Sequence, residues 1–485
     1  MNYRILSQLC LGAALLLPFA AAPVNGAEAT QPLTLKQAVE RALQNNLNLK
    51  LTLEDTEIAG GNVDIAQSRF DKNITAQAGY ESQEATQLMI GGAEQEDTGN
   101  FNLNLAKRFT TGTEFQFGWQ NNSYDSDSTA MILNPVYTSG LNMGLAQPLL
   151  RGWGSDIQTA AVQAAEKNYD ASSYQVDSTA ADLAAEVKTG YWNLVFAWQD
   201  ISVKKLSLEL AQKLLGETEA KISAGKLAQV EVYQPQSEVA RREEDLIGAE
   251  RAIGTAEDNL KLLMNSGDWL IQYEPTDSPL TTPVTLEPFS VLNNALENRP
   301  DLKATELAIQ AARLDEMIAE DNLRPELNLS GGLAYGGTDD GYSEAISASI
   351  DDPDLGWQVG LNFTHSLDNS MARGRLRQAK ANHSKARTNL QLLKLQITKS
   401  VRTTVRDVEL AIKAMEATRK TSLATKKRLE AEEAKFEAGR STTLDVLAAQ
   451  EAYSQALSQE NRTAIVYVQS LAELDRIQGL ISLPE

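Results

Sequence analysis

EAKISAGKLAQVEV (Glu219–Val232) and EAKFEAGRSTTLDV (Glu433–Val446) are near copies of one another. Glu-Ala-Lys, Ala-Gly, a basic residue and an acid followed by Val hold the same places in both, and each copy lies between two long helical patterns. The chain therefore reads as a tandem duplication that builds the same helix–turn–helix tip twice, and such internal repeats decide fold class before anything else. A second pair agrees: ALQNNLNLK (Ala42–Lys50) and ALENRPDLK (Ala295–Lys303) each open a helix that leads into an alternating strand pattern. The expected organisation is a first repeat over 30–265, a proline-containing linker over 266–288 and a second repeat over 289–485.

The first 29 residues read as a secretory signal. Arg4 is the positive end, Leu9–Ala22 the apolar segment broken by Pro18, and Ala27-Glu28-Ala29 an A-x-A site with cleavage after Ala27 or Ala29. The lone cysteine, Cys10, would leave with it, so the mature chain is expected to carry no disulfide. No other apolar run approaches the about 18 residues of a spanning helix. A net charge of −21 argues against nucleic-acid partners. It fits a solvated helical surface, or an electronegative water-filled lumen that favours cations.

The periodicity predicts very long helices. Ala386, Leu390, Leu393, Ile397, Val401, Val405, Val408, Ile412 and Met415 step by threes and fours, as do Leu183, Val187, Tyr191, Leu194, Trp198 and Ile201. Helices over Met371–Ala438 and from Ser155 to Ala224 would each extend on the order of 100 Å. A shorter returning helix, Leu227–Asn265, covers about half of its partner, and the opening helix, Thr34–Arg69, supplies the other half. Pro235 is expected to bend the returning helix, and Asn369 or Ser370 to cap the start of the second long one.

Strand patterns lie at the other end of the long helices. Ile74–Tyr80, Leu141–Leu145, Leu327–Tyr335 and Trp357–Phe363 alternate apolar with small or polar residues. A membrane barrel and a half-buried soluble sheet share this signature. Four strands cannot close a barrel alone, and open edges do not face lipid, so closure across chains is expected. A further hairpin (Phe101–Leu105 with Phe115–Trp119) has no counterpart in the second repeat, where an acidic loop, Gly337–Asp354, stands instead; the pattern leaves open whether the hairpin joins the barrel.

These residues carry a resemblance. The chain resembles the TolC-type outer-membrane channel-tunnel family, the exit ducts of efflux pumps and type I secretion. The matching pieces are the two AL-x-N helix openings, the junction GLAQPLLRGWG (Gly144–Gly154) and both Ala-Gly tips, the second running on into LDVLAAQ. The resemblance implies a mainly α fold with a membrane β-barrel, four strands per chain giving twelve in a homotrimer, and an α-helical tunnel in the periplasm. It also implies partners: a periplasmic adaptor, an inner-membrane pump and outer-membrane lipid. It implies a gate, with Asp445 lining the constriction, Glu231 at the matching place in the first tip, and Phe436 where a gate-holding aromatic stands. Ala448 occupies the place of a second acid, and Ser366 that of a strand-end proline that the first repeat keeps as Pro148.

The adaptor-docking candidates are Gly225, Lys226 and Leu227 in the first tip and Gly439, Arg440 and Ser441 in the second. Each has a structural reading beside the functional one. A glycine after a helix suits a C-cap, a cation there suits the helix dipole, and an acid at a helix start does too. His365 and His383 lack a second ligand at metal spacing, and Asp351, Asp352 and Asp354 lack a calcium loop, so no metal or catalytic residue is assigned. A passive duct needs no cofactor, because energy enters at the inner membrane. A periplasmic coiled-coil scaffold or adaptor is the alternative reading. Adaptors also carry long hairpins but place a compact β-module between them, whereas here the strands sit at the far ends. An exported hydrolase would need a nucleophile–base pair, which the sequence does not offer.

Overall fold

The computed structural model describes residues 30–84, 95–128 and 131–481; the signal segment and Cys10 lie outside them. The chain is mostly helical, with two sheets. The first repeat holds β1 (Thr30–Leu33), α1 (Leu35–Asn45), α2 (Leu47–Gln67), β2 (Lys72–Glu84), β3 (Gln95–Arg108), β4 (Glu114–Ser126), β5 (Val136–Pro148), α3 (Ser155–Ser223) and α4 (Tyr233–Met264). The linker contributes β6 (Gln272–Pro275). The second repeat holds α5 (Pro288–Asn298), α6 (Pro300–Asp321), β7 (Glu326–Asp339), α7 (Tyr342–Asp351), β8 (Asp354–Thr364), α8 (Ser370–Glu437) and α9 (Thr443–Ile477).

The two long helices, α3 with 69 residues and α8 with 68, each run about 100 Å. Among the described residues no helix is long and apolar enough to cross a membrane. The opening helices are broken where the sequence suggested continuous ones. Asn46 and Arg299, matching positions of the two repeats, leave the helical region (ψ 130° and 123°), Arg299 because a residue before proline avoids it. Each then serves the end of a returning helix. Asn46 Nδ2 donates to the Leu263 carbonyl (2.8 Å) and Arg299 Nη1 to that of Ile477 (3.3 Å). The short helices thus stack end to end along α3 and α8. Pro235 sits in the first turn of α4, where its missing backbone donor costs no helical hydrogen bond. Asn369 precedes α8 in a left-handed conformation without capping it, its amide donating instead to the Leu323 carbonyl (3.2 Å).

The linker is also structured. β6 pairs in parallel with β1. Tyr191, fully buried on α3, donates its hydroxyl to Asp277 Oδ2 (2.6 Å), which also accepts the Leu35 amide (2.7 Å). Tyr467 of α9 donates to the Thr282 carbonyl (2.8 Å). The linker is thereby tied to both repeats halfway along the long helices. Burial, reinforced by the Asp277 hydrogen bond, pushes the Tyr191 phenol well above its ordinary value. The main core lies here, where Leu33, Val39, Val187, Tyr191, Leu194, Leu260, Ile465 and Tyr467 pack together.

Six strands, not four, form one antiparallel sheet in the order β2-β3-β4-β5-β7-β8. The hairpin β3–β4 is inserted between β2 and β5. One row of side chains crosses every strand: Ala76, Leu103, Trp119, Leu141, Tyr335, Leu355. That face is apolar and open to the outside, with Ile74 72 %, Trp357 75 % and Phe363 61 % exposed. The opposite face carries Gln77, Asn102, Gln120 and Gly140 in one row and Asn104, Gly118, Asn142, Ala334 and Gly356 in another; it lines an open groove. The expected acidic loop is largely helix. α7 packs on β5 and β7 so closely that a Cβ on Gly337 would come within 2.3 Å of the Ser349 amide.

Candidate functional site: the paired helical tips

Both tips close on the same cap. Gly225 (φ 70°) donates to the Ile222 carbonyl (2.8 Å) and Lys226 to that of Lys221 (2.8 Å). Gly439 (φ 72°) donates to Phe436 (3.1 Å) and Arg440 to Lys435 (2.8 Å). These paired bonds are the Schellman arrangement, which needs a left-handed residue after the helix; this explains the repeated Ala-Gly. Beyond the cap the copies differ. The first continues through a 3₁₀ turn, Gln229–Val232, holding Glu231, whereas α9 starts at once from a capping box. There Thr442 Oγ1 accepts the Asp445 amide (3.2 Å), and Asp445 Oδ2 accepts the Thr442 amide (3.3 Å) and hydroxyl (2.6 Å). The Thr442 hydrogen bonds hold the exposed Asp445 carboxyl below the usual carboxylate range.

Gly225, Lys226, Glu231, Gly439, Arg440 and Asp445 are all exposed, and Leu227 and Ser441 half-exposed. Ser441 donates to Glu432, which this bond, with that of Lys435, holds below its ordinary pKa. Ala448 is exposed one turn beyond Asp445. Phe436 alone of the candidates is buried, 2 % exposed, packed with Leu214, Val446 and Leu447.

What joins the two tips is a residue the sequence reading passed over. Lys221, on the last turn of α3, places its ammonium 3.4 Å from the Phe436 ring centroid and donates to the Phe436 carbonyl at 2.6 Å. That carbonyl also accepts the Gly439 amide, so one cation clasps both the ring and the cap of the other tip. The signal was present: Lys221 and Lys435 hold the same place in the repeated Glu-Ala-Lys. Farther up, Arg242 is buried among Glu238 Oε1 (2.6 Å), Glu451 Oε2 (2.6 Å) and Ser207 Oγ, joining α4 to α9 and α3. Burial raises the Glu238 pKa, but Arg241 and Arg242 outweigh it and keep the carboxyl below its ordinary value. His383 bonds Glu316 (2.6 Å). Among the described residues no His, Cys, Asp and Glu group has metal-site geometry.

The chain as a whole has counterparts among known proteins. The sequence pattern of the family described as "Outer membrane efflux protein" matches residues 38–266 and 291–480. The outer membrane protein TolC of Vibrio cholerae is 21 % identical over 374 residues, spanning 74 % of this chain and 84 % of that one. The pyoverdine export outer membrane protein OpmQ of Pseudomonas aeruginosa is 28 % identical over 186 residues, 38 % of each chain. The fold matches the outer-membrane channel OprN (TM-score 0.70, 19 % identity, 92 % of this chain and 89 % of that one). It also matches the Campylobacter jejuni CmeC channel (TM-score 0.70, 16 % identity, 96 % and 94 %). The chain belongs to the outer membrane efflux protein family.

Proposed function

We propose that this protein is the outer-membrane exit duct of a tripartite efflux or type I secretion system, a passive channel that works with a periplasmic adaptor and an inner-membrane pump. The observation that carries the reading is the two-faced sheet at one end of helical hairpins about 100 Å long. Exposed Ile74, Trp357, Leu361 and Phe363 on one face suit lipid, and the amide- and glycine-rich face suits water. A periplasmic scaffold would have no use for that apolar face. Relatives named as outer membrane proteins, one of them for pyoverdine export, support the same reading.

In this reading three copies close the barrel and bring their helices together as a periplasmic tunnel. The tips form its inner end, where Asp445 and Glu231 ring the constriction and Phe436, clasped by Lys221, holds the closed state. The cap residues Gly225, Lys226, Leu227, Gly439, Arg440 and Ser441 meet the adaptor. Membrane fractionation followed by planar-bilayer recording tests the function. Protein extracted only by detergent that forms ion-conducting pores is expected; protein that stays in the soluble fraction and conducts nothing overturns it.

A further inference from the structure

The hairpin β3–β4 changes the size of the exit. It is held on both sides, with β3 paired to β2 from Lys72↔Lys107 to Glu84↔Gln95 and β4 paired to β5 from Glu114↔Ala146 to Tyr124↔Val136. β2 and β5 therefore do not touch, and the hairpin cannot swing aside as a flap or plug without breaking two ladders. It also carries the same two faces as its neighbours. Leu103, Leu105, Phe117 and Trp119 continue the apolar row, while Asn102, Asn104, Gln116 and Gln120 continue the polar one. Phe101 and Leu103 are 44 % and 40 % exposed on the apolar side. A plug or an extracellular flap has no reason to repeat that alternation; a piece of membrane wall must.

Among the described residues, β2 and β8 each have a neighbour on one side only. An open edge in hydrocarbon leaves a row of backbone donors and acceptors unpaired, each costing several kcal/mol. The edges therefore close on further copies of this chain. β2 leads away from the helices and β8 returns to them, so β8 of one copy meets β2 of the next antiparallel, as the rest of the sheet runs.

We propose that the barrel has eighteen strands, six from each of three copies, rather than the twelve that four strands per chain would give. This rests on the trimeric duct proposed above. Barrel diameter grows roughly linearly with strand number, and barrels of about 16–18 strands keep an aqueous channel. The exit is then about half again as wide as that of a twelve-stranded channel, with roughly twice the cross-section. Its middle is lined by Gln77, Asn102, Asn104, Gln120, Asn142 and Gln358. Charge is confined to the ends, with the Arg108–Glu114 and Arg151–Glu326 pairs at the helical end and Glu81, Glu96 and Asp354 at the other. The uncharged middle of such a wall selects strongly neither by size nor by charge, so it admits bulky hydrophilic cargo, and selection rests with the charged ends and the tips.

Three measurements test this. The mass of the detergent-solubilised protein is expected at three chains. Polyethylene glycols of graded size, added from the extracellular side in bilayer recordings, are expected to enter up to a radius about 1.5 times the limit of a channel with four strands per chain. Ala76→Cys with Leu103→Cys, direct partners in the register, are expected to cross-link within one chain, and Ala76→Cys with Leu141→Cys are not. A different mass overturns the trimer and the count of eighteen with it, while the cross-links report separately on six strands per chain. A trimer with the narrower limit, or with the Ala76–Leu141 cross-link, overturns the eighteen-stranded barrel alone.

Discussion

Replacing Lys221 by Met keeps the aliphatic stem and removes the ammonium that joins the tips. The lost hydrogen bond to the Phe436 carbonyl (2.6 Å) has a charged donor, a class that contributes about 1.5–3 kcal/mol. The contact with the ring (3.4 Å to its centroid) adds about 0.5–2 kcal/mol. One ammonium supplies both and Lys221 remains partly exposed, so the two do not add fully, and about 2 kcal/mol per chain is the working figure. That is roughly a 30-fold shift in the balance between clasped and free tips. Three tips opening together would compound to about 10⁴-fold. Bilayer recordings are expected to show Lys221→Met leaking where the parent is closed, and amide exchange around Phe436 and Gly439 is expected to speed up by about the single-chain factor. Lys221→Arg, which restores a cation over the ring, is expected to recover most of the closure. If Lys221→Met leaves both leak and exchange unchanged, the clasp holds nothing, and closure resides in contacts between chains.

Gly225→Ala and Gly439→Ala meet no neighbouring atom, since nothing lies within 4 Å of the added Cβ. Each is still expected to cost about 1–2 kcal/mol, because an L side chain is forced to positive φ, read as a lower thermal midpoint and weaker adaptor capture. Arg242→Ala removes the buried one of the two arginines that Glu238 and Glu451 share, leaving Arg241 on both, and is expected to destabilise the tip region by about 1.5–3 kcal/mol, measured by denaturant unfolding. The Asp445 carboxyl is depressed in the folded state, so its capping contribution is present above the unfolded value of about 3.9 and disappears as pH falls through the lower folded value. Exchange at the start of α9 is expected to quicken below about pH 4, and in Asp445→Asn that step should vanish. At neutral pH, Asp445→Asn is expected to reduce cation preference more than Glu231→Gln, as charged rings do in pores; equal selectivity in both variants refutes the ring at Asp445.

The long helices were plain in the sequence because an apolar stripe stepping by threes and fours is local information. The tips were plain because the chain writes them twice. What local pattern cannot carry is partnership across the chain. Phe101–Leu105 and Phe115–Trp119 alternate like any other strand, but only the register with Lys72–Glu84 and Val136–Pro148 places the hairpin inside the sheet. α7 was obscured because its apolar Tyr342, Ile346 and Ile350 are interleaved with acids and serines. β1 and β6, four residues each, are too short to show any period. Of the tip residues, glycines and acids stood out by type, while Lys221 was one of many lysines until a carbonyl and a ring from the other repeat appeared beside it.

The strap formed by β1, β6 and Asp277 gives the molecule a fulcrum. It grips α3 at Tyr191, near the midpoint of a rod about 100 Å long. The arm from Tyr191 to Gly225 is then about 50 Å. In the proposed duct, a bend of roughly 10° in the helices at the strap would carry the tip through about 9 Å and leave the opposite arm, anchored in the sheet, in place. The mouth of the proposed tunnel would then widen by nearly the width of a helix with no strand sliding against its neighbour. A ladder continuous through six strands resists such shear, so in the proposed duct a bend at mid-height would leave the sheet undisturbed while the tips open.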